Sequence, residues 1–116
     1  MTREQKARSL KQEIFQFLIS VDAPNWSLHL STKTMEDGTD FAEVNLGTQR
    51  LNINPTKTVK EMVLSLVHEM LHIINPNTRE ATILRWEEEI MKDISALEIA
   101  TLLRAVFTTL KGVWDD

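Results

Sequence analysis

Leu10, Ile14, Phe17, Leu18 and Val21 recur at three- and four-residue steps, one face of an amphipathic helix running from about Thr2 to Ser20. Asp22-Ala23-Pro24-Asn25 ends it. From Trp26 the period shortens to two: Trp26, Leu28 and Leu30 alternate with Ser27, His29 and Ser31, which marks a half-buried strand. After a turn at Glu36-Asp37-Gly38, Ala42, Val44 and Leu46 alternate with Glu43 and Asn45. Gly47-Thr48-Gln49 turns the chain again, and Leu51 and Ile53 alternate with Asn52 and Asn54. Three short strands in succession predict a three-stranded antiparallel meander.

Pro55 closes the sheet, and Thr58-Val59-Lys60-Glu61 has the form of a capping box, in which Thr58 and Glu61 satisfy each other's orphan backbone donors. A helix therefore starts at Val59. Val63, Leu66, Val67, Met70 and Ile74 form its apolar face, and Asn75-Pro76 stops it, because the residue before proline is disfavoured in the helical region. Asn77 or Thr78 can cap a further helix to about Lys92. Leu97, Ala100, Leu103, Val106, Phe107 and Leu110 predict a last amphipathic helix from Ser95 to near Gly112. No repeat or linker interrupts the chain, so residues 1–116 read as a single α+β domain.

With 42% hydrophobic and 26% charged residues, the chain has the profile of an ordinary globular domain. It has no cysteine, which removes disulfides, thiol nucleophiles and cysteine-ligated zinc from consideration. Any metal must then sit on histidine and carboxylate. Thirteen basic against seventeen acidic residues, a net charge of -4, create no global attraction for phosphate or anionic lipid, so neither nucleic acid nor membrane is an expected partner. No window approaches the ~18 apolar residues of a membrane span. The segment Met1 to Leu18 intersperses charges with its apolar residues where a signal peptide would show an unbroken apolar block, which implies a cytoplasmic protein.

His68-Glu69-Met70-Leu71-His72 is an HExxH motif on the helix that Thr58 caps. Positions i and i+4 project from one helix face about 6 Å apart along the axis, so two imidazoles can meet one tetrahedral metal. Glu69, one residue after the first ligand, cannot share that metal comfortably. It can instead take a proton from a zinc-bound water and pass it to a leaving amine. A third ligand has to come from elsewhere, and Glu80 and Glu87 are the candidates. In a helical hairpin turning at Asn75 to Asn77, His72 and Glu80 lie level at ~1.5 Å per residue, whereas Glu87 falls roughly 4 to 5 Å beyond the level of His68. This count favours Glu80. Glu80 also reads as a capping-box residue three positions after Asn77, and Glu87-Glu88-Glu89 as a solvated face pairing with Arg85 and Lys92. Ser65 and Glu61 share the helical face of the two histidines. His29 reads as a surface residue of its strand, and Trp26, Trp86 and Trp114 as core or interface anchors.

The order of helix, meander, HExxH helix and glutamate-bearing helix, spanning about Trp26 to Met91, resembles the zincin metallopeptidases, and more narrowly a minimal gluzincin. The resemblance implies a Zn2+ cofactor held by His68, His72 and Glu80, the last followed by Ala81 as in the gluzincin pattern. It also implies a peptide or protein substrate laid along the edge strand Phe41 to Leu46, and hydrolysis with Glu69 as the base. Three departures accompany it. Leu84 stands where the thermolysin-like pattern has an Asp that orients a metal-bound histidine. Seven residues separate His72 from Glu80, fewer than the usual gluzincin interval. The chain has no tyrosine, so an oxyanion would need His29, Arg50, Arg79 or Arg85, or the zinc alone. The rival expectation is a non-catalytic zincin-like domain in which a structural zinc supports a peptide- or protein-binding module.

Overall fold

The computed structural model describes residues 2–20, 25–30, 42–53 and 58–114; the turns expected at 22–24 and 36–38, Phe41 and Pro55 lie outside these. The chain forms α1 (Arg3–Leu18), β1 (Ser27–Leu30), β2 (Ala42–Asn45), β3 (Arg50–Ile53), α2 (Val59–Ile74), α3 (Glu80–Asp93), α4 (Ala96–Thr109) and β4 (Lys111–Trp114). The class is α+β, as the pattern predicts.

The sheet is not the predicted antiparallel meander. β2 and β3 do pair as an antiparallel hairpin, with Val44 opposite Leu51, across a turn in which Gln49 adopts φ 52°. β1 instead lies on the far side of β3 and runs parallel to it, with Leu28 opposite Leu51. β4 pairs with the other edge of β1, again parallel, and the strand order is β2-β3-β1-β4. Alternation fixes which side chains face the core and leaves neighbour and direction open. Only a tight loop obliges antiparallel pairing, and residues 31–41 separate β1 from β2. The second correction is at the C-terminus, where the last helix ends at Thr109 and not near Gly112. Lys111–Trp114 turns into a strand because the exposed edge of β1 supplies hydrogen-bond partners that no local pattern announces.

Among the described residues, three of four helices open on a reciprocal capping box: Thr2 with Gln5, Thr58 with Glu61 and Ser95 with Glu98. α3 is the exception, beginning behind Arg79 with no side-chain cap. α2 is the centre of the molecule, packed against β2 and β3 on one side and α1 and α3 on the other. Its Val63, Leu66, Met70 and Leu71 are fully buried, together with Leu10 and Ile14 of α1, Leu51 of β3 and Ile83 and Ile90 of α3. Trp26 joins this core and meets Phe17 edge to face at 6.2 Å, tying the start of β1 to the end of α1. Met62 and Met91 pack against the same cluster. Among the described residues no helix is long and apolar enough to cross a membrane.

One buried cation closes the helical layer. Lys11 of α1 places its Nζ 2.7 Å from Asp93 at the end of α3 and 2.9 Å from Glu98 at the start of α4. Burial alone would lower the Lys11 pKa, but the hydrogen bonds to Asp93 and Glu98 outweigh it and raise the pKa overall. The hydrogen bond from Lys11, followed by the backbone bond from Ser95, lowers the pKa of Glu98. A carboxylate with a depressed folded-state pKa contributes stability above its unfolded pKa and loses it as pH falls through the folded value. Glu98→Gln keeps the acceptor that closes the α4 cap and removes the charge. The variant is expected to show a stability deficit that is complete above the ordinary carboxyl value of 4.5 and shrinks as pH falls further. Urea unfolding at a series of pH values measures it, and a deficit independent of pH refutes the assignment.

Candidate metal centre

The two histidines stand on the stripe of α2 that the core leaves uncovered. His68 and His72, one turn apart, are partly buried, with ring centroids 4.9 Å apart. Glu69, rotated about 100° from His68, is buried at 8% exposure. Its negative charge acts on His68.

The third group arrives from α3. After Ile74 the Asn75 N–H still donates to Leu71 O at 2.9 Å, Thr78 N–H donates to Asn75 O at 3.1 Å, and the chain re-enters a helix at Glu80. Glu80 is thus the first residue of α3, not the third residue after an Asn77 cap, and the capping-box reading of it fails. Its Oε1 lies 2.8 Å from His68 Nε2 and its Oε2 2.8 Å from His72 Nε2. His68, His72 and Glu80 form a group whose ligand atoms all lie within 4.8 Å of one another and which can hold a metal ion. The donor chemistry fits: two imidazole Nε2 atoms and one carboxylate are a common three-ligand set for a catalytic zinc, whose donors at ~2.0–2.1 Å from the ion sit about 3.3 Å apart.

Glu87, the other candidate, has a different place. Its carboxylate pairs with Nδ1 of His68, on the far side of the ring from Glu80. Nδ1–H donating to Glu87 leaves the Nε2 lone pair directed at the position that Glu80 shares, which is how a carboxylate fixes the tautomer of a ligating histidine. The side chain of Glu87 is only 10% exposed, against 58% for Glu80. The pKa of His68 is raised, first by the hydrogen bond to Glu87, partly opposed by burial, and then by the charges of Glu87, Glu69 and Glu80.

The sequence leaves that partner unassigned, since Leu84 occupies the position of the expected Asp. The signal was present in the spacing: Glu87 falls seven residues after Glu80, two turns on and back on the same face of α3.

The remaining candidates lie apart. His29 is half-buried with its Nε2 3.0 Å from Ser27 Oγ, and it is not in the metal-capable group. Arg50 donates from Nε to Asn52 Oδ1 at 2.8 Å, and Arg85 lines a cleft between α1 and α3. Arg79 alone of the proposed oxyanion partners adjoins the triad in sequence, immediately before Glu80. Glu61 is engaged in the α2 cap. Comparison of the chain with family models, with curated protein sequences and with solved structures gave no match.

Removing Glu87 is expected to weaken divalent-metal binding about 10- to 100-fold, with Glu87→Ala more affected than Glu87→Gln, which retains an acceptor for Nδ1–H. Glu88→Gln, a neighbour exposed to solvent, is expected to leave the affinity unchanged. Competition against a chromophoric chelator measures all three, and equal affinities refute the role of Glu87.

Proposed function

We propose that the chain is a zinc-dependent peptidase of the zincin type, with His68, His72 and Glu80 as the metal ligands and Glu69 as the general base. The observation that carries this reading is the convergence of both HExxH imidazoles, through Nε2, on the carboxylate of Glu80. A zinc ion held by these residues would supply Lewis acidity toward a water and a carbonyl.

The chain's own residues supply the rest. Glu87 holds His68 in the tautomer and orientation that ligation needs. Glu69, buried beside His68, accepts the proton of the attacking water and returns it to the departing amine. β2 lies at one edge of the sheet and packs on α2, so an extended peptide that adds to that edge as a further strand is brought alongside the histidine-bearing helix. The exposure of Glu80 makes the site open, which suits a flexible, extended segment of substrate better than a folded surface.

The alternative reading, a zincin-like binding module with a structural metal, has its basis in the composition: no tyrosine is present to stabilise an oxyanion.

One experiment separates the two readings. Purified protein is assayed for metal by mass spectrometry and for hydrolysis against a peptide library, beside Glu69→Gln and His68→Ala. One zinc per chain is expected in the wild type and in Glu69→Gln, and much less in His68→Ala. Peptide hydrolysis is expected to fall about 10²- to 10⁴-fold in Glu69→Gln. Stoichiometric zinc with no turnover in the wild type selects the binding module, and full activity in Glu69→Gln removes Glu69 as the base.

A further inference from the structure

α1 and α3 enclose a cleft of about 240 Å³ on a part of the molecule that the metal centre does not use. Arg85, Trp86 and Glu89 reach it from α3, and by helical spacing they stand on the face opposite Glu80 and Glu87. Its floor is apolar, made by the buried Ala7 and Leu10. Its walls carry an unusual charge distribution for a chain of net charge -4. Four cations line it, Arg3, Lys6, Arg85 and Lys92, against two acids. The acids are already engaged: Lys92 lies 3.9 Å from Glu88 and 3.5 Å from Glu89. Among the described residues Arg3, Lys6 and Arg85 have no carboxylate within ion-pair distance. Lys6 rests its Nζ 4.9 Å from the centroid of the Trp86 ring, and Arg85 is bonded only weakly, to Thr82 Oγ1 at 3.4 Å.

We propose that this cleft binds a small anion carried on a planar ring, an aryl phosphate or aryl carboxylate, with the ring against Trp86 and the anion among Arg3, Lys6 and Arg85. Each part of that ligand answers a feature of the cleft. The half-buried Trp86 and the Ala7–Leu10 floor present apolar surface that gains from covering a ring. Three cations without a counter-ion gain charge-assisted hydrogen bonds from a phosphate or carboxylate, and two of them are guanidinium groups able to bind it in a bidentate manner. The volume is below the ~300–1,000 Å³ of a drug-sized pocket and suits one ring with its head group. A free metabolite and the side chain of a phosphotyrosyl protein share this chemistry.

The test follows the indole N–H signals of the three tryptophans by NMR, with Trp86 assigned through Trp86→Phe, during titration with phenyl phosphate, inorganic phosphate, phenol and a short phosphotyrosyl peptide. Phenyl phosphate is expected to shift the Trp86 signal saturably and at lower concentration than phosphate or phenol. Lys6→Gln and Arg85→Gln are expected to weaken that binding about three- to tenfold each without altering thermal melting. Glu80→Gln, on the opposite face of α3, leaves it unchanged. A peptide that binds more tightly than phenyl phosphate assigns the ligand to a protein, and equal or weaker binding assigns it to a free small molecule. No saturable shift at Trp86, or one that the two substitutions leave intact, overturns the proposal.

Discussion

The turn between Ile74 and Glu80 sets the geometry on which the grouping of His68, His72 and Glu80 depends. Asn75 is held out of the helix by Pro76 and caps α2 at φ -135°, ψ 65°, and Arg79 re-enters at φ -64°, ψ 147°. These few residues fix how far α3 is displaced along α2 and how it is rotated. Each residue added or removed would turn Glu80 by about 100° and move it ~1.5 Å along the axis. At the observed length both carboxylate oxygens meet an imidazole, one on each histidine. The short interval from His72 to Glu80 is therefore what lets a compact hairpin bring the three side chains together.

The second constraint is electrostatic. Glu69 and Glu87 are both buried at 8% exposure next to His68, and a carboxylate removed from water is costly unless a partner compensates it. His68 is that partner for Glu87, and the raised pKa of the imidazole is the other side of the same interaction. At the far end of α3 the roles are reversed, and the more exposed Asp93 and Glu98 compensate the buried Lys11. α3 is thereby held at both ends by charged contacts, with Ile83 and Ile90 packed into the core between them. The helix that carries Glu80 has no side-chain cap of its own, so tertiary contacts supply the fixation that local structure does not.

Much of this arrangement is legible in the sequence because it is local. The Thr58–Glu61 box starts α2 at Val59, Asn75-Pro76 stops it, and the HExxH spacing puts both histidines on one face. Counting along a hairpin even levels Glu80 with His72. What is not legible is non-local. Period-two alternation locates β1 and β3 but cannot say that they run parallel, since the same buried residues, Leu28 and Leu51, would face the core in either direction. β4 exists because β1 offers it an edge. In one dimension Glu87 reads as part of a solvated acidic run, because Glu88 and Glu89 are its only context. Its burial follows from the closeness of α2, a property of the fold and not of the segment.

The contrast between the two glutamates of α3 bears on what the site can do. Glu87 is enclosed, so its bond to Nδ1 of His68 acts through a medium of low polarity and is little weakened by water or salt. Glu80 stands at the mouth with more than half of its side chain exposed. An enclosed support with an open ligand lets the histidines be held rigidly while an ion bound between them remains accessible to substrate. α2 reinforces the distinction, because its fully buried Leu66, Met70 and Leu71 anchor the helix in close packing while His68 and His72 stand on a partly covered face of it. Rigidity thus comes from the side of the helix that faces the core, and access from the side that faces α3 and solvent. The proposed catalytic reading calls for both at once: ligands that do not move and an ion that substrate can reach.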